Sequence, residues 1–306
     1  MAVKPAAEVH IDHTLVRRLV ETQASDLISP GSRIAHVDEG WDCSVWRIGD
    51  RHAARLPRRA AAADLTVNEH RFLHPIADRL RDAGLGSPVP LVHGRPDAGY
   101  PWSWSVVPWF DGTPGIGIPR ETRSGWAERL AAGVAAVHRP AAPGYPRNPV
   151  RGVPLVERAP VVEERFASAH ASGRSSPATL DALHRAWRRG LAAPPWDGDP
   201  VWIHGDLHPG NIIARNAELV ALIDFGDLTA GDPASDLATA WLTFDEDGRA
   251  AFRRALDGRY DAATWTRARA WAAALSVLLQ QSDDDPLYAR LAADAAAEIE
   301  GDIAGT

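Results

Sequence analysis

The spacing of apolar residues changes twice in the first third of the chain. Over residues 11–28, Leu15 and Leu19 recur at helical intervals behind Asp12, which predicts an amphipathic helix with an aspartate cap. From residue 33 the apolar positions alternate instead, in the short runs RIAHV, SVWRI and HAARL. Because Gly40 and Gly49 mark turns between these runs, the pattern predicts two β-hairpins.

Helical spacing then returns over residues 61–82, where we expect Pro75 to interrupt the helix. Two further strands, VPLVHG and WSWSVVPWF, follow around a turn at residues 96–99. Together these elements predict an α+β N-lobe of five strands, residues 1–108, followed by a short hinge, residues 109–112.

The rest of the chain, residues 113–306, is predicted to be a mostly helical C-lobe. Helical spacing covers residues 121–138, 155–192 and 234–300, and a proline-rich loop occupies 140–154. One segment departs from this pattern, VWIHGDLHPGNIIARNAELVALIDFGD at residues 201–227, where polar side chains stand between short apolar strands. The whole pattern predicts a two-lobed α+β protein.

Composition narrows the class of protein. The chain has 306 residues, 45% hydrophobic and 24% charged, which is typical of a globular protein. Its net charge of -7 should repel nucleic acid and anionic lipid. Cys43 is the only cysteine, which excludes a disulfide framework, and we find neither a signal peptide nor an apolar run of membrane-spanning length. We therefore expect a soluble, cytoplasmic protein that acts on a small-molecule substrate. The sequence does not predict its oligomeric state.

Three oxygen-bearing side chains lie at the ends of the strands predicted in the polar segment. Asp206 follows the strand 201–203, Asn211 precedes the next strand, and Asp224 follows the strand that returns after a hairpin turn at Asn216. We therefore expect Asp206, Asn211 and Asp224 to meet at one end of the hairpin. Two oxygen ligands beside a free carboxylate suit phosphoryl transfer, because magnesium on nucleotide phosphates prefers oxygen donors and the attacking hydroxyl needs a proton acceptor.

The motif HGDLHPGN followed by IDFGD resembles the catalytic and metal-binding segments of the aminoglycoside phosphotransferase family, which shares the protein-kinase fold. HGD-x-x-x-x-N is similar to the kinase catalytic loop with Gly205 in place of arginine, and IDFGD to the kinase DFG segment. The resemblance implies a two-lobed protein-kinase-like fold. It also implies that Asp206 is the catalytic base, that Asn211 and Asp224 bind Mg²⁺, and that Asp236 of GDPASDLATAW supports the catalytic loop.

The other polar residues of this region have lesser expected roles. We expect His204 to orient the loop rather than to transfer protons, and His208 and Asp227 to lie away from the reacting groups. Asp232 precedes Pro233 and should cap the following helix. A metallohydrolase that uses His204, Asp206 and His208 as metal ligands remains an alternative.

The nucleotide contacts implied by the resemblance lie in the first lobe. A kinase needs a cation on the nucleotide phosphates, and HAARLPRR offers Arg55 in place of the usual lysine, with Glu69 of VNEHRFL as its helical partner. Macrolide phosphotransferases, relatives within the same family, look similar in this RxPRR pattern. The alternative is an ordinary exposed Arg–Glu pair with little effect.

Two loops supply further candidates for binding ATP or GTP. In HVDEGWDCS, Gly40 and Ser44 are candidates for phosphate contacts through N–H groups or a hydroxyl, although a single glycine is a weak phosphate-loop signal. In VVPWFDG, the Pro108 carbonyl and the Phe110 N–H are candidates for the edge of the base, while Trp109 and Phe110 could equally pack between the lobes. The poor glycine loop leaves open a nucleotide-binding module without turnover.

The expected acceptor is a hydroxyl of a small molecule, and the resemblance favours an antibiotic such as an aminoglycoside, with a macrolide or a small metabolite as alternatives. It should lie on the second lobe, against residues 140–196 and the C-terminal helices. The acidic runs Asp245–Asp247 and Asp283–Asp285 suit an ammonium-rich acceptor, or are simply solvated helix ends. Twelve tryptophans suit a larger apolar acceptor, or are core residues. Neither observation decides between these acceptors.

Overall fold

The computed structural model describes residues 5–29, 31–280 and 285–304. The chain is α+β and divides into two compact units. The N-terminal unit comprises Ala2–Asp111 with Leu222–Leu228, and the C-terminal unit comprises Gly112–Ala221 with Thr229–Thr306. The IDFGD segment is therefore described with the first unit, and the HGDLHPGN segment with the second.

The N-terminal unit is built on a five-stranded antiparallel sheet. Its strands are β1 (Ile34–Glu39), β2 (Cys43–Ile48), β3 (His52–Pro57), β4 (Val92–Gly94) and β5 (Trp104–Pro108), in the spatial order β1-β2-β3-β5-β4. Each overlaps a run in which the sequence predicted a strand. The reason is visible in β2, where alternate residues Ser44, Trp46 and Ile48 are buried and those between them are not.

Helix α1 (His13–Gln23) covers one face of this sheet. It begins at the predicted cap, where the Leu15 N–H donates to Asp12 Oδ1 at 2.8 Å. It is shorter than the predicted 11–28, because the backbone leaves the helix at Ala24 and makes a 3₁₀ turn over Ser25–Leu27. Its buried residues share one core with the sheet and include Val16, Leu19 and Val20.

Helix α2 (Ala60–Asp82) runs unbroken through Pro75, so the predicted interruption is wrong. A proline inside a helix removes one backbone hydrogen bond and crowds the preceding turn. Around it the helix buries Leu73, Ile76 and Leu80, which are at most 1% exposed. Burial of this apolar face offsets the local cost of the proline, so tertiary packing decides the outcome.

The C-terminal unit is mainly helical. Its helices are α3 (Arg120–Arg123), α4 (Ala127–Val137), α5 (Leu155–Ser172), α6 (Pro177–Ala192), α7 (Ala234–Leu237), α8 (Thr239–Thr243), α9 (Glu246–Ala255), α10 (Ala262–Leu279) and α11 (Pro286–Ala304). The helix predicted at 121–138 is broken by a 3₁₀ turn over Ser124–Trp126, where serine and glycine are weak helix formers. Over the described ranges, no helix combines the length and the apolar character needed to cross a bilayer.

Helix α10 is the centre of this unit and packs against α5, α6, α7 and α11. It buries residues on every side, as expected for a helix that is apolar almost all round. Gly190 of α6 allows the closest approach, because a Cβ at this position would collide with Ala270 of α10.

Short strands carry the polar segment. They are β7 (Val201–Ile203), which pairs with β10 (Thr229–Gly231), and β8 (Ile212–Arg215), which lies between β6 (Thr113–Pro114) and β9 (Glu218–Leu222). The predicted hairpin turn is confirmed: Asn216 and Ala217 have φ of 53° and 62°, as in a two-residue turn between antiparallel strands. Strands β6 and β10 were not predicted, because two or three residues are too few to show alternation.

Candidate functional site

Asp236 holds the HGD loop from inside the C-terminal unit. Its carboxylate, 1% exposed, accepts the N–H of His204 at 2.7 Å and the N–H of Gly205 at 2.9 Å. His138 Nε2 lies 3.0 Å from the same carboxylate. Burial by itself raises the pKa of Asp236, but the His138 contact and the loop N–H group hold it below its ordinary value. The predicted supporting role of Asp236 is confirmed.

Gly205 shows why glycine stands in this loop. Its φ of 88° lies in the left-handed region, which other residues adopt only with strain. The turn at Gly205 links β7 to Asp206, and the Gly205 N–H donates to Asp236 Oδ1.

Asp206 has charged and polar neighbours on both carboxylate oxygens. Oδ1 accepts from Arg151 Nη2 at 2.7 Å, and Oδ2 lies 3.3 Å from His208 Nε2 and 3.3 Å from Asn211 Nδ2. Burial opposes ionisation, yet Arg151 and His208 outweigh it and hold the pKa of Asp206 well below its usual range. The carboxyl group is therefore ionised at neutral pH.

Asn211 is brought to Asp206 by the 3₁₀ turn Pro209–Asn211 that precedes β8. Its amide nitrogen donates to the Asp206 carbonyl at 2.8 Å. Because the nitrogen serves Asp206, the amide oxygen is the atom left to bind a cation, and an amide oxygen is a suitable Mg²⁺ ligand. The structure thus brings together two of the three residues that the sequence predicts to converge.

The two histidines of the motif differ in role. His204 is fully buried, and its Nδ1 accepts the Asp206 N–H at 3.3 Å, which fits the expected role in orienting the loop. His208 contacts the Asp206 carboxylate, so the expectation that it lies apart is wrong. Its Nδ1 accepts the Gly210 N–H at 3.0 Å, which fixes the ring. Within the described ranges, no group of three or more His, Cys, Asp or Glu side chains is arranged to hold a metal ion, which gives the metallohydrolase alternative no support.

Arg151 is a site residue that sequence reasoning missed. It lies in the proline-rich loop before α5, where the N–H groups of Val150 and Arg151 donate to Asn148 Oδ1 at 2.9 and 3.2 Å. The Gly152 carbonyl accepts the Asp232 N–H at 3.0 Å, which ties this loop to the strand after IDFGD. Arg151 stands in no periodic pattern, so no sequence signal points to it.

Asp232 accepts the Ala234 N–H at 3.0 Å at the start of α7, although Pro233 and not Asp232 is the N-cap residue, and it has a second partner. Arg267 of α10 binds its two oxygens at 2.7 and 3.2 Å in a buried pair. A signal for Arg267 did exist, since it lies in a mostly apolar helix, where a buried charge requires a partner.

Arg151 also lines two cavities of the C-terminal unit. The larger, about 740 Å³, lies beside the proline-rich loop and is lined among others by Tyr145, Trp196 and Arg267. The smaller, about 150 Å³, lies between α5 and α10. Both are next to the side chain that binds Asp206, so each is a candidate for part of an acceptor site.

Some of the acidic residues and tryptophans that suggested an acceptor site have structural roles instead. Asp245 caps α9 by accepting the Gly248 N–H at 2.9 Å, and it also accepts from the Ser124 hydroxyl at 2.6 Å. Asp283 and Asp284 lie outside the described residues. Trp187 and Trp241 are at most 1% exposed and belong to the core.

In the N-terminal unit, Arg55 of β3 joins Glu69 of α2 to Asp224 of IDFGD. Arg55 Nη1 donates to both Glu69 oxygens at 2.9 and 2.8 Å, and Nη2 donates to Asp224 Oδ1 at 2.9 Å. The side chains of Arg55 and Glu69 are 14% and 4% exposed, so this is not an ordinary surface pair. Burial opposes the charge of Arg55, but the two carboxylates hold its pKa above the ordinary value.

Asp224 has a backbone conformation that presents its side chain. Its φ is 62°, in the left-handed region, while the next residue, Phe225, is fully buried. The Asp224 side chain is 55% exposed, and one of its oxygens is bound by Arg55. This carboxylate is therefore accessible to a cation, although its convergence with Asp206 and Asn211 stays a prediction.

The loop between β1 and β2 differs from expectation. The Gly40 N–H donates to the Cys43 carbonyl at 2.8 Å, and the fully buried Ser44 hydroxyl accepts from Trp46 Nε1 at 2.9 Å. Both groups are thus engaged within the unit in this structure, and contacts of Gly40 and Ser44 with phosphate stay a prediction.

The other two arginines of RxPRR hold this loop. Arg58 Nη1 donates to the Gly40 carbonyl at 2.9 Å, and Arg59 Nη2 donates to Asp42 Oδ1 at 2.6 Å. The pattern that suggested a phosphate grip therefore has a structural role at two of its three arginines.

The residues after β5 pack within the N-terminal unit. The Arg47 guanidinium carbon lies 4.9 Å from the centroid of the Trp109 ring, and Trp109 Nε1 donates to Asp111 Oδ1 at 2.9 Å. The Phe110 ring lies against Gly86, where any Cβ would collide with it. Pro108 pairs with His52 of β3. Contacts of Pro108 and Phe110 with a base remain predictions.

Comparison with known proteins agrees with this fold. The model of the phosphotransferase enzyme family (APH) matches residues 33–271. The GDP and kanamycin complex of APH(2")-IIia has a TM-score of 0.67, with 18% identity over 95% of this chain and 99% of that chain. Macrolide 2'-phosphotransferase MphH from Brachybacterium faecium has a TM-score of 0.56, with 19% identity over 92% of this chain and 98% of that chain.

The streptomycin-ATP-APH(2")-IIa ternary complex has a TM-score of 0.53, with 14% identity over 94% of this chain and 97% of that chain. No curated protein matches the sequence significantly. Structural likeness at such identities shows the kinase-like fold alone. The family model, in contrast, matches well over half of the chain and includes both polar motifs, so the chain belongs to the phosphotransferase enzyme family (APH).

Proposed function

We propose that this protein is a small-molecule kinase, which transfers the γ-phosphoryl group of ATP or GTP to a hydroxyl group in the presence of Mg²⁺. The observation that carries the proposal is the ionised carboxylate of Asp206, in a loop that Asp236 fixes, with the amide of Asn211 beside it. The arrangement fits a reaction in which positioning and charge stabilisation do most of the catalysis.

Asp206 orients the acceptor hydroxyl and takes its proton. A carboxylate of such low pKa is a weak base toward a free alcohol. Proton transfer therefore occurs late, when the bond between the acceptor oxygen and phosphorus is forming and the hydroxyl has become acidic. Arg151 shares the carboxylate, so an acceptor must approach beside Arg151 or displace it.

Asn211 and Asp224 are the residues that would hold Mg²⁺, each through a side-chain oxygen. When bound, the ion neutralises charge on the nucleotide phosphates. Arg55 takes the place of the usual kinase lysine. Glu69 binds one arm of its guanidinium and Asp224 the other, so a phosphate oxygen would share or displace the Asp224 contact. Pro108 and Phe110 remain our candidates for the base.

The relatives support this proposal through what their structures contain. They include complexes with GDP and kanamycin and with ATP and streptomycin, as well as a macrolide 2'-phosphotransferase. These names make aminoglycosides and macrolides the first acceptors to test, beside hydroxylated metabolites.

The test is a panel of such acceptors, each incubated with ATP or GTP and Mg²⁺, with phosphorylated product detected by mass spectrometry. Asp206→Ala should abolish transfer and leave nucleotide affinity, measured by calorimetry, within about threefold, because the side chain serves the acceptor. Asp181→Ala, which removes an exposed carboxylate from α6, is the matched control. Near-normal turnover of Asp206→Ala at saturating substrate would refute the role of Asp206, and nucleotide binding without transfer to any acceptor would favour a module without turnover.

A further inference from the structure

A chain of hydrogen bonds connects the HGD loop to the segment that precedes α10. The loop N–H groups of His204 and Gly205 donate to the Asp236 carboxylate, as described above. His138 Nε2 lies 3.0 Å from Asp236 Oδ2, and the Tyr260 hydroxyl lies 2.7 Å from His138 Nδ1. Two residues outside the sequence motifs are therefore linked, through one carboxylate, to the loop that carries the proposed base.

Helix ends place these two residues. His138 is the C-cap residue of α4. Tyr260 stands directly before Asp261, which caps α10 by accepting the Thr264 N–H at 2.7 Å. The Tyr260 ring also packs edge-on against the Trp265 ring, with 6.1 Å between the centroids. Both side chains are thus attached to regular elements of the C-terminal unit.

The donor at each link can be assigned from Asp236. Its pKa is held below the ordinary value, so the carboxylate is ionised and only accepts, and His138 Nε2 must carry the hydrogen. With that hydrogen on Nε2, Nδ1 is left to accept from the Tyr260 hydroxyl. Burial raises the pKa of Tyr260 to about 12, against the effect of a hydrogen bond with Arg259, so the phenol keeps its hydrogen at neutral pH.

The contact between His138 and Asp236 is shielded from water. Both side chains are 1% exposed. Water therefore does not replace a donor that is lost there, and the cost of an unpaired buried group is high. Without the His138 donor, Asp236 would be less firmly oriented, and the two N–H groups of the loop would lose a fixed acceptor.

We infer that His138 and Tyr260 are positioning residues for the proposed phosphoryl transfer, which hold Asp236 and thereby the orientation of Asp206 toward the acceptor hydroxyl. This inference rests on the small-molecule kinase function proposed above. Both residues act through Asp236 and need no contact with acceptor or nucleotide. Because transfer depends on the placement of the reacting groups, a small displacement of the loop lowers turnover and leaves nucleotide binding unchanged.

Two substitutions of His138 differ in a single donor. Glutamine has an amide nitrogen near the position of Nε2, whereas methionine is of similar length and has no donor. His138→Met should lower kcat about 10-fold or more, with the KM for nucleotide within about twofold, and His138→Gln should restore most of the loss. His170→Gln and His170→Met, at an exposed position in the last turn of α5, are the matched controls and should leave kcat unchanged.

Tyr260→Phe tests the outer link, because it removes the hydroxyl and keeps the ring. The contact between His138 and Asp236 remains in this variant, so we expect a smaller loss of kcat, about threefold. The substitution is conservative, which keeps the inference testable if His138→Met folds poorly.

Hydrogen exchange reports on the loop without turnover. Deuterium uptake by the segment 201–207 is followed by mass spectrometry on the full chain. It should be about 10-fold faster in His138→Met and close to the wild type in His138→Gln, while uptake by the central helix α10 stays unchanged. A merely structural role would speed exchange in α10 as well, because the whole unit would then open more often.

Equal kcat in His138→Met and His138→Gln, or wild-type exchange of the loop in His138→Met, would overturn the inference, and unchanged kcat in Tyr260→Phe would remove Tyr260 from it. The proposed kinase function is judged separately. Transfer that persists at the wild-type rate in His138→Met would uphold the kinase and refute the positioning role. Absence of transfer from the wild type to every acceptor of the panel would refute the kinase, and the exchange of the loop alone would then decide whether His138 holds it.

Discussion

Replacement of Asp236 by asparagine tests how strongly the HGD loop depends on one buried carboxylate. The wild-type side chain accepts the His204 and Gly205 N–H groups at 2.7 and 2.9 Å and lies 3.0 Å from His138 Nε2. Asparagine has the same shape but one oxygen only. Whichever way the amide is turned, its NH₂ group faces a backbone N–H that has lost its acceptor.

The magnitude follows from these contacts. A hydrogen bond to a charged group is worth about 1.5–3 kcal/mol, and a buried donor left without an acceptor costs about 1–3 kcal/mol. Since the two contributions overlap, we expect Asp236→Asn to lower the free energy of unfolding by about 3 kcal/mol. Turnover should fall as well, because the same loop positions Asp206.

Urea unfolding at neutral pH measures this change, with an unaltered m-value as the sign that two-state behaviour is kept. Asp181→Asn removes a carboxylate from an exposed helical surface and should change stability by less than about 0.5 kcal/mol. A loss of less than about 1 kcal/mol in Asp236→Asn would refute the reasoning, because at least one buried contact must then have been dispensable.

The difference in free energy of unfolding between the wild type and Asp236→Asn should also depend on pH, in a direction that the pKa of Asp236 determines. The pKa of Asp236 in the folded state is below its ordinary value of 3.8. Its stabilisation is therefore fully present above the ordinary value and is lost as the pH falls through the folded-state value. The stability difference between wild type and Asp236→Asn should be constant near neutrality and shrink in acid.

Further outcomes are expected in the N-terminal unit. Arg55→Met should weaken nucleotide binding more than Glu69→Gln, by titration, and the reverse order would argue against a direct phosphate contact. Asp224→Ala should weaken binding of Mg²⁺-nucleotide at least 10-fold and leave Mg²⁺-free nucleotide nearly unaffected; equal effects on both would contradict a metal ligand. Burial and the stacked His93 lower the pKa of His70 to about 4, so its ring should stay neutral in NMR titrations from its ordinary value of 6.5 down to that pH. The stability that this neutral His70 provides is present above pH 6.5 and is lost as the pH falls from 6.5 to about 4. In His70→Gln, the free energy of unfolding measured with urea should therefore fall less over this interval than it does in the wild type.

Local features of the sequence predicted much of the fold and part of the site. The cap at Asp12, the β-hairpins and the catalytic loop with Asp206 and Asn211 depend on residues near one another in the chain, so spacing and turn chemistry determine them. The prediction for Pro75 was wrong because burial of the apolar face of the helix, which a local pattern does not contain, decided the outcome.

The sequence by itself determined the order of the elements, the motifs of the phosphotransferase family and the residues proposed for base and metal. Only the tertiary structure decided the electrostatic surroundings of that chemistry. Arg151 comes to Asp206 from a proline-rich loop, and Arg267 reaches Asp232 from helix α10. Charges act through space, so the potential beside a catalytic group depends on which distant segments pack there, and no spacing along the chain records that.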